Sequence, residues 1–563
     1  MVGITQESYF GPSKRPGTRK KEDLMSPMSR RVFVKGATLA PLALSSLPAI
    51  GQQASRAPGE RFDIVVAGAG HNSLVCAAYL AKAGNKVLVL EGRPTIGGGC
   101  KTQEVCLTGF KEDLCSSVHG NIVRSPVYRE LSLQEYGLEY LEPDPVMHIP
   151  FLDGSSITVW HDVDRTYESI AKISKKDAET FRRLVPEFRN SERNAAGEGG
   201  RRNGAPAGFI QRLSAMSGYD AVKALYESEH MQAANLSTGH FGGVPGGDIG
   251  TGGQAFSMMV ELNGRPMAKG GSGMFSVALG RFIEAHNGVV LTNKPVASLI
   301  IENGKCTGVE CVDGSKYRAE KAVVSTIHVK HLINMAPREL WGDEFNRDIE
   351  IFQPEHAMFS FHYATSEAPK YPLGGGQTIS TTEAALMEHP ESVLVLNDYN
   401  ARGVPFVEDM PLQIVSPSVA DPTRAPAGYH TVKIEGTMPY ALKEGPKHWD
   451  VIKEEVAAKV FARLSRAAPN LTSDKILGKF LESPLDIERM NPAMWRGSAH
   501  HGDRRLPQFV PYKLPIAGLY QTGACTAPGG SITAIPGRNA AAALLSDLGT
   551  SLEEVNKAGK KDA

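Results

Sequence analysis

The stretch FDIVVAGAGHNS, Phe62 to Ser73, decides the fold. Phe62-Asp63-Ile64-Val65-Val66-Ala67 is short, apolar and β-branched, the pattern of a strand buried on both faces of a parallel sheet. Gly68-Ala69-Gly70-His71-Asn72-Ser73 follows as a tight turn, residues 74–83 as a helix, and Lys86-Val87-Leu88-Val89-Leu90 as a second strand ending at Glu91. The result is a βαβ unit of about 30 residues. Gly68 suits the turn, and Gly70 lets the backbone approach a pyrophosphate seated on the helix N-terminus. Glu91, about 20 residues further on, is placed to accept hydrogen bonds from a ribose diol and to repel a 2′-phosphate. Ser73 stands where this fingerprint usually has a third glycine.

Outward from this unit, Glu91-Gly92-Arg93-Pro94-Thr95-Ile96-Gly97-Gly98-Gly99 runs from the strand end into a second glycine-rich loop. It resembles the ExRxxxGG element of glutathione-reductase-like flavoproteins, which implies FAD, with the loop along its ribityl and pyrophosphate part. Two later stretches extend the pattern. Arg265-Pro266-Met267-Ala268-Lys269-Gly270-Gly271-Ser272-Gly273 opens a helix over 274–285, followed by strands at 289–291 and 296–301. Gly518-Leu519-Tyr520-Gln521-Thr522-Gly523 is a strand running into a glycine, and Ile535-Pro536-Gly537-Arg538-Asn539-Ala540 starts an alanine-rich helix. A helix N-terminus aimed at a flavin stabilises negative charge developing on its pyrimidine side.

The segments GAGHNSLVCAAYLAKAGNKVLVLEGRPTIGGG, GRPMAKGGSGMFSVALGRFIEAHNG and GLYQTGACTAPGGSITAIPGRNAA are similar to those of phytoene-desaturase-like FAD oxidoreductases. The branch in view holds desaturase-like carotene ketolases and a mitochondrial phytoene-desaturase-like protein. The likeness runs in order from Arg61 to Gly549, strongest around the flavin motifs and weak in the middle. It implies an α/β fold: a glutathione-reductase-like, two-dinucleotide-binding (Rossmann-type) FAD domain with a discontinuous α+β substrate domain. Gly68, Gly70, Ser73, Glu91, Arg93, Gly97 and Gly98 would hold non-covalent FAD. Val296 would meet the adenine side through its backbone, and Gly523, Ile532 and Thr533 would lie near pyrophosphate and flavin. The expected FAD domain is assembled from 61–125, 262–340 and 483–552, with 126–261 and 341–482 forming the substrate domain.

Composition bounds the rest. The 563 residues carry 61 basic and 61 acidic side chains, so no basic footprint for nucleic acid is expected. The 58 glycines exceed the usual share of roughly 7%. The balance of charge conceals an asymmetry: residues 1–35 hold eight basic and three acidic side chains, a net of +5, leaving 53 basic and 58 acidic, a net of −5. Ser29-Arg30-Arg31-Val32-Phe33-Val34-Lys35 precedes a mild apolar run over 36–50. It resembles a twin-arginine export signal, with 1–54 as signal and leader, and implies the twin-arginine machinery as a partner and a periplasmic location. Fifteen apolar residues are too few to span a membrane, which takes about 20, and no transmembrane segment is expected. Seven cysteines are scattered without CxxC pairing or zinc spacing, so no metal is expected. Oligomeric state is not legible.

The chemistry near the flavin is written more faintly. Trp495-Arg496-Gly497-Ser498-Ala499-His500-His501-Gly502 resembles the family's GNxxHG pattern, which implies His501 as a proton acceptor, or else a brace at the domain interface. Arg538 is expected either to stabilise the reduced flavin or to cap a helix. The sequence thus reads as an exported FAD-dependent dehydrogenase or oxidase. It would remove hydride from a small organic substrate, an alcohol, amine or similar, and pass electrons to oxygen or a quinone. A carotenoid or isoprenoid desaturase or ketolase is the alternative, and a non-catalytic flavin-binding scaffold is the alternative of another class.

Overall fold

The structure, a computed structural model, describes residues 61–120, 122–190, 208–240, 245–354, 356–500 and 509–557, together with the backbone of 191–196 and 558. The twin-arginine stretch and His501 lie outside the described residues.

The decisive stretch folds as β1 (Arg61–Ala67), α1 (His71–Lys82) and β2 (Val87–Leu90). The helix begins three residues earlier than the sequence pattern suggests. Gly70, in extended conformation, acts as its N-cap, and its carbonyl accepts the Leu74 amide at 2.9 Å. The turn therefore consists of Gly68 and Ala69 alone, and the first-turn amides of α1 open onto the end of β1.

β1 pairs in parallel with β2 through Ile64↔Val87 to Ala67↔Leu90, and on its other side with Lys316–Ser325. Val289–Leu291 continues the sheet beyond β2, and Leu519–Gln521 pairs in parallel with Lys316–Ser325. The antiparallel strands Val296–Glu302 and Lys305–Cys311 complete seven strands on that side. Ile64, Val65 and Val66 are fully buried because layers cover both faces of the sheet. On one face α1 lies between helices Gly273–Ala285 and Ile535–Asp547. The last helix approaches closely because Gly537 has no side chain: a Cβ there would stand 2.1 Å from the Asn72 carbonyl oxygen.

A second seven-stranded sheet is mostly antiparallel. Its order is Ile476–Glu482, Met358–Thr365, His430–Thr437, Leu412–Val415, Glu383–Leu386, Met147–Pro150 and Ser156–Val159. Helices from 163–261 and 449–467 pack against it. A small hairpin follows the glycine loop, Thr102–Gln103 with Glu112–Asp113, and meets the second sheet at His362. Its carboxylates end in a buried ionic seam. Asp113 meets Arg424 at 2.9 Å, and His362 lies between Glu112 at 3.7 Å and Glu482 at 3.4 Å. Burial alone would lower the His362 pKa, but the two glutamates outweigh it and hold the imidazole above its ordinary value. No helix among the described residues is long and apolar enough to cross a membrane.

Candidate cofactor and substrate site

A cavity of about 890 Å³ opens at the C-terminal ends of β1 and β2 and continues to the second sheet. Ligands of open α/β sheets bind in this position. Its first half is built largely of backbone. Gly68 adopts φ +100° and donates to the Leu90 carbonyl at 2.7 Å. A side chain there would be strained and would drive a Cβ to 2.4 Å from Thr326 Cγ2. Ser73 explains its own departure from the glycine fingerprint, since its hydroxyl meets the Gly68 and Gly70 carbonyls at 2.7 and 2.9 Å. It fastens the turn from behind and does not line the cavity.

Gly97 donates to the Ala69 carbonyl at 2.7 Å, which presses the second glycine loop against the first. Gly98 then reaches the cavity wall while Gly97 stays behind it. Glu91 turns one carboxylate oxygen to the Ala69 amide at 2.9 Å and the other to the Arg93 amide at 3.0 Å. Both amides favour the ionised form, yet burial prevails and raises the Glu91 pKa. Val296, Gly523 and Ile532 line the same cavity, and Thr533 does not.

The cavity fits a dinucleotide by two observations. Gly70 faces it with φ −66°, and a Cβ built there would find no protein atom nearer than 3.9 Å. Nothing within the protein calls for glycine at that position, whereas a ligand backbone pressed onto the turn would. At the same helix end, His71 Nε2 and Asn72 Oδ1 are buried in the cavity wall without a protein partner, and such groups are costly unless a ligand completes them. Burial lowers the His71 pKa to about 4, so the ring is neutral there.

The second half of the cavity is built of side chains. Gln413, Glu435 and Thr437 project into it from adjacent strands, with Gln413 opposite Glu435 in register. Glu435 pairs with Lys433 at 2.7 Å, and Lys433 also donates to the Cys115 carbonyl at 2.6 Å. Gln413 donates to Glu383 at 2.7 Å, and Glu383 shares Arg265 with Glu261. His240 ends helix Glu229–His240, with Nε2 2.7 Å from Thr437 Oγ1. Burial, with His356 nearby, lowers the His240 pKa to about 3. Among the described residues of the wall there is no Phe, Tyr or Trp.

His501, expected near the chemistry, lies outside the described residues; its neighbour in sequence, His500, lines the cavity, and Ser498 fixes the His500 backbone at both ends. Arg538 is corrected. Its guanidinium grips Glu130 at 2.8 and 2.9 Å on the far side of α1, and it does not line the cavity. The helix turn that brings Gly537 onto α1 points Arg538 away from the site. Glu435, Gln413, Thr437 and Glu261 were not legible as site residues. The available signal was Lys433 and Glu435 alternating with apolar residues in a strand, which ordinarily marks a solvated face.

The family model for flavin-containing amine oxidoreductases matches residues 74–387. A polypeptide of the limonene dehydrogenase of Castellaniella defragrans is 27% identical, over 87% of this chain and 95% of its own. The neurosporene-forming phytoene desaturase of Rhodobacter capsulatus is 23% identical, over 84% and 91%. A solved structure of putrescine oxidase bound to putrescine shares the fold with a TM-score of 0.57 and 16% identity, covering 86% of this chain and 99% of that one. With more than half of its length matched and a dinucleotide cavity of this form, the chain belongs to the flavin-containing amine oxidoreductase family and is an FAD-dependent oxidoreductase.

Proposed function

We propose that the enzyme oxidises a small organic molecule with a polar head, an alcohol, an amine or similar, and passes the electrons to oxygen or a quinone. One observation carries this reading: the half of the cavity remote from the glycine turn is walled by Gln413, Glu435, Thr437 and His240. Most of these groups already have protein partners, but His240 Nδ1 is buried without one, and a long hydrocarbon would leave it unpaired. FAD supplies the hydride acceptor when bound. The protein's part is to orient the polar head and take its proton. Thr437 and neutral His240 hold a hydroxyl or amine, and the Glu435 carboxylate accepts the proton, with the Lys433 ammonium at 2.7 Å as its fixed counter-charge. Gly68, Gly70, Glu91, Arg93, Gly98, Val296 and Gly523 are the proposed cofactor contacts.

The relative named for limonene favours a second reading, an isoprenoid substrate, for which Val260 and Met358 offer the apolar surface. Anaerobic mixing separates the two. Bleaching of the flavin absorbance by small alcohols or amines supports the first. Bleaching by terpenes alone replaces it with the second, and no bleaching by either class leaves a flavin-binding scaffold. We further propose export by the twin-arginine route, on the strength of Ser29-Arg30-Arg31-Val32-Phe33. A reporter fused after residue 60 should reach the periplasm, and Arg30→Lys with Arg31→Lys should keep it in the cytoplasm.

A further inference from the structure

Lys101 has no assigned role, and its setting is unusual. It follows the second glycine loop, directly before the Thr102–Gln103 strand, and it lines the cavity with only 6% of the residue exposed. Among the described residues no carboxylate, carbonyl or hydroxyl lies within hydrogen-bond or ion-pair distance of its ammonium. The two carboxylates whose charge it feels are engaged elsewhere. Glu91 holds the Ala69 and Arg93 amides, and Glu482 faces His362. Burial lowers the Lys101 pKa, and the like charge of Arg93 adds to the effect.

The backbone is firmly held at this point. Thr102 Oγ1 donates to Asp113 at 2.6 Å and accepts the Gly273 amide at 2.9 Å, which fixes the backbone from which the Lys101 side chain enters the cavity wall. Its ammonium is set in the cavity wall with no carboxylate among the described residues to neutralise it, and an anion bound in the cavity would complete it. The wall it shares already holds the N-terminus of α1, which also favours negative charge.

We propose that Lys101 is an anion-anchoring residue of the cofactor cavity, its ammonium taking a negatively charged oxygen of the bound flavin nucleotide. Two parts of that ligand carry such charge, the diphosphate and the pyrimidine side of the reduced ring, and separate measurements distinguish them. The proposal rests on the cavity being the FAD site, for which Gly70→Ala, with Lys101 intact, is the control.

The test strips the enzyme of flavin and titrates wild type, Lys101→Met, Lys101→Gln and Lys101→Arg with FAD and with riboflavin. The apo forms of the Met and Gln variants should melt at or above the wild-type temperature, because they lose an unpaired buried charge. If the diphosphate is the partner, both should bind FAD at least tenfold more weakly and riboflavin with unchanged affinity, while Arg should retain most of the FAD affinity. If the reduced ring is the partner, FAD affinity should hold and the midpoint potential should fall by about 30 mV, the equivalent of tenfold for a two-electron couple. FAD affinity and potential both unchanged in Lys101→Met and Lys101→Gln would overturn the role of Lys101. Undiminished FAD binding in Gly70→Ala would overturn the cavity assignment beneath it.

Discussion

The two halves of the cavity are made of different material. The half at α1 is largely main chain: glycines at 68, 70 and 98 and helix amides, with Glu91 bracing the loops and the side chains of His71, Asn72 and Lys101 set among them. The half at the second sheet consists of side chains carried on separate strands and helices between residues 238 and 437. Backbone cradles a ligand common to many proteins, and side chains distinguish one substrate from another. Changes to the first half should therefore abolish cofactor binding, and changes to the second should leave a yellow protein with impaired turnover.

The strongest way to break that contrast lies within the glycine turn. Gly70→Ala should fold with wild-type circular dichroism and melting behaviour as apoprotein, because the new methyl has room within the protein. It should nonetheless bind FAD at least about a hundredfold more weakly, since the methyl occupies the ligand's place. Gly68→Ala, with φ +100° and a 2.4 Å clash, should instead lose folded protein outright. Equal behaviour of the two variants would mean that Gly70 is a structural glycine after all.

At the other half, Glu435→Gln should keep its full flavin content and lower the rate of anaerobic flavin reduction by about 10² to 10⁴, the range for loss of a general base. The loss should not be recovered at high pH. A variant that bleaches at the wild-type rate would remove Glu435 from the proton path.

The smallest expected effect concerns the seam that joins the halves. His362 binds its proton more tightly in the folded protein than in the unfolded chain, as does buried Glu112. Both groups make the folded state hold more protons, so stability falls as pH rises. The His362 contribution is complete below about pH 6.5, the unfolded-state value, and disappears as pH passes the higher folded-state value. The melting temperature should drop by a few degrees across that window, and His362→Gln should flatten the decline. An unaltered slope in that variant would assign the pH response to other groups.

The same contrast explains what the sequence disclosed. Gly68, Gly70, Glu91 and Gly98 were legible because the strand–turn–helix geometry that places them spans about 30 consecutive residues, and each residue type answers a local backbone demand. Ser73 looked like a defect in that pattern because a hydroxyl gripping two carbonyls does the work usually done by close glycine packing. Arg538 was misplaced because a motif fixes a helix start without fixing which way one side chain points. Glu435, Gln413 and Glu261 converge only when strands and helices far apart in the chain meet, and no local period encodes that meeting. Lys433 and Glu435 carry no such local signal, because their alternation with apolar residues reports polarity and cannot tell bulk water from the wall of a cavity.

Gly537 against the Asn72 carbonyl bears on when the enzyme can acquire its flavin. The turn that begins the site, at Gly68, is synthesised well before Gly523 and the helix that clamps α1. At 5–20 residues per second they emerge about 20 to 90 s apart. Throughout that interval a nascent chain carries an unfinished dinucleotide site, and cofactor capture waits until both walls of the site have been made.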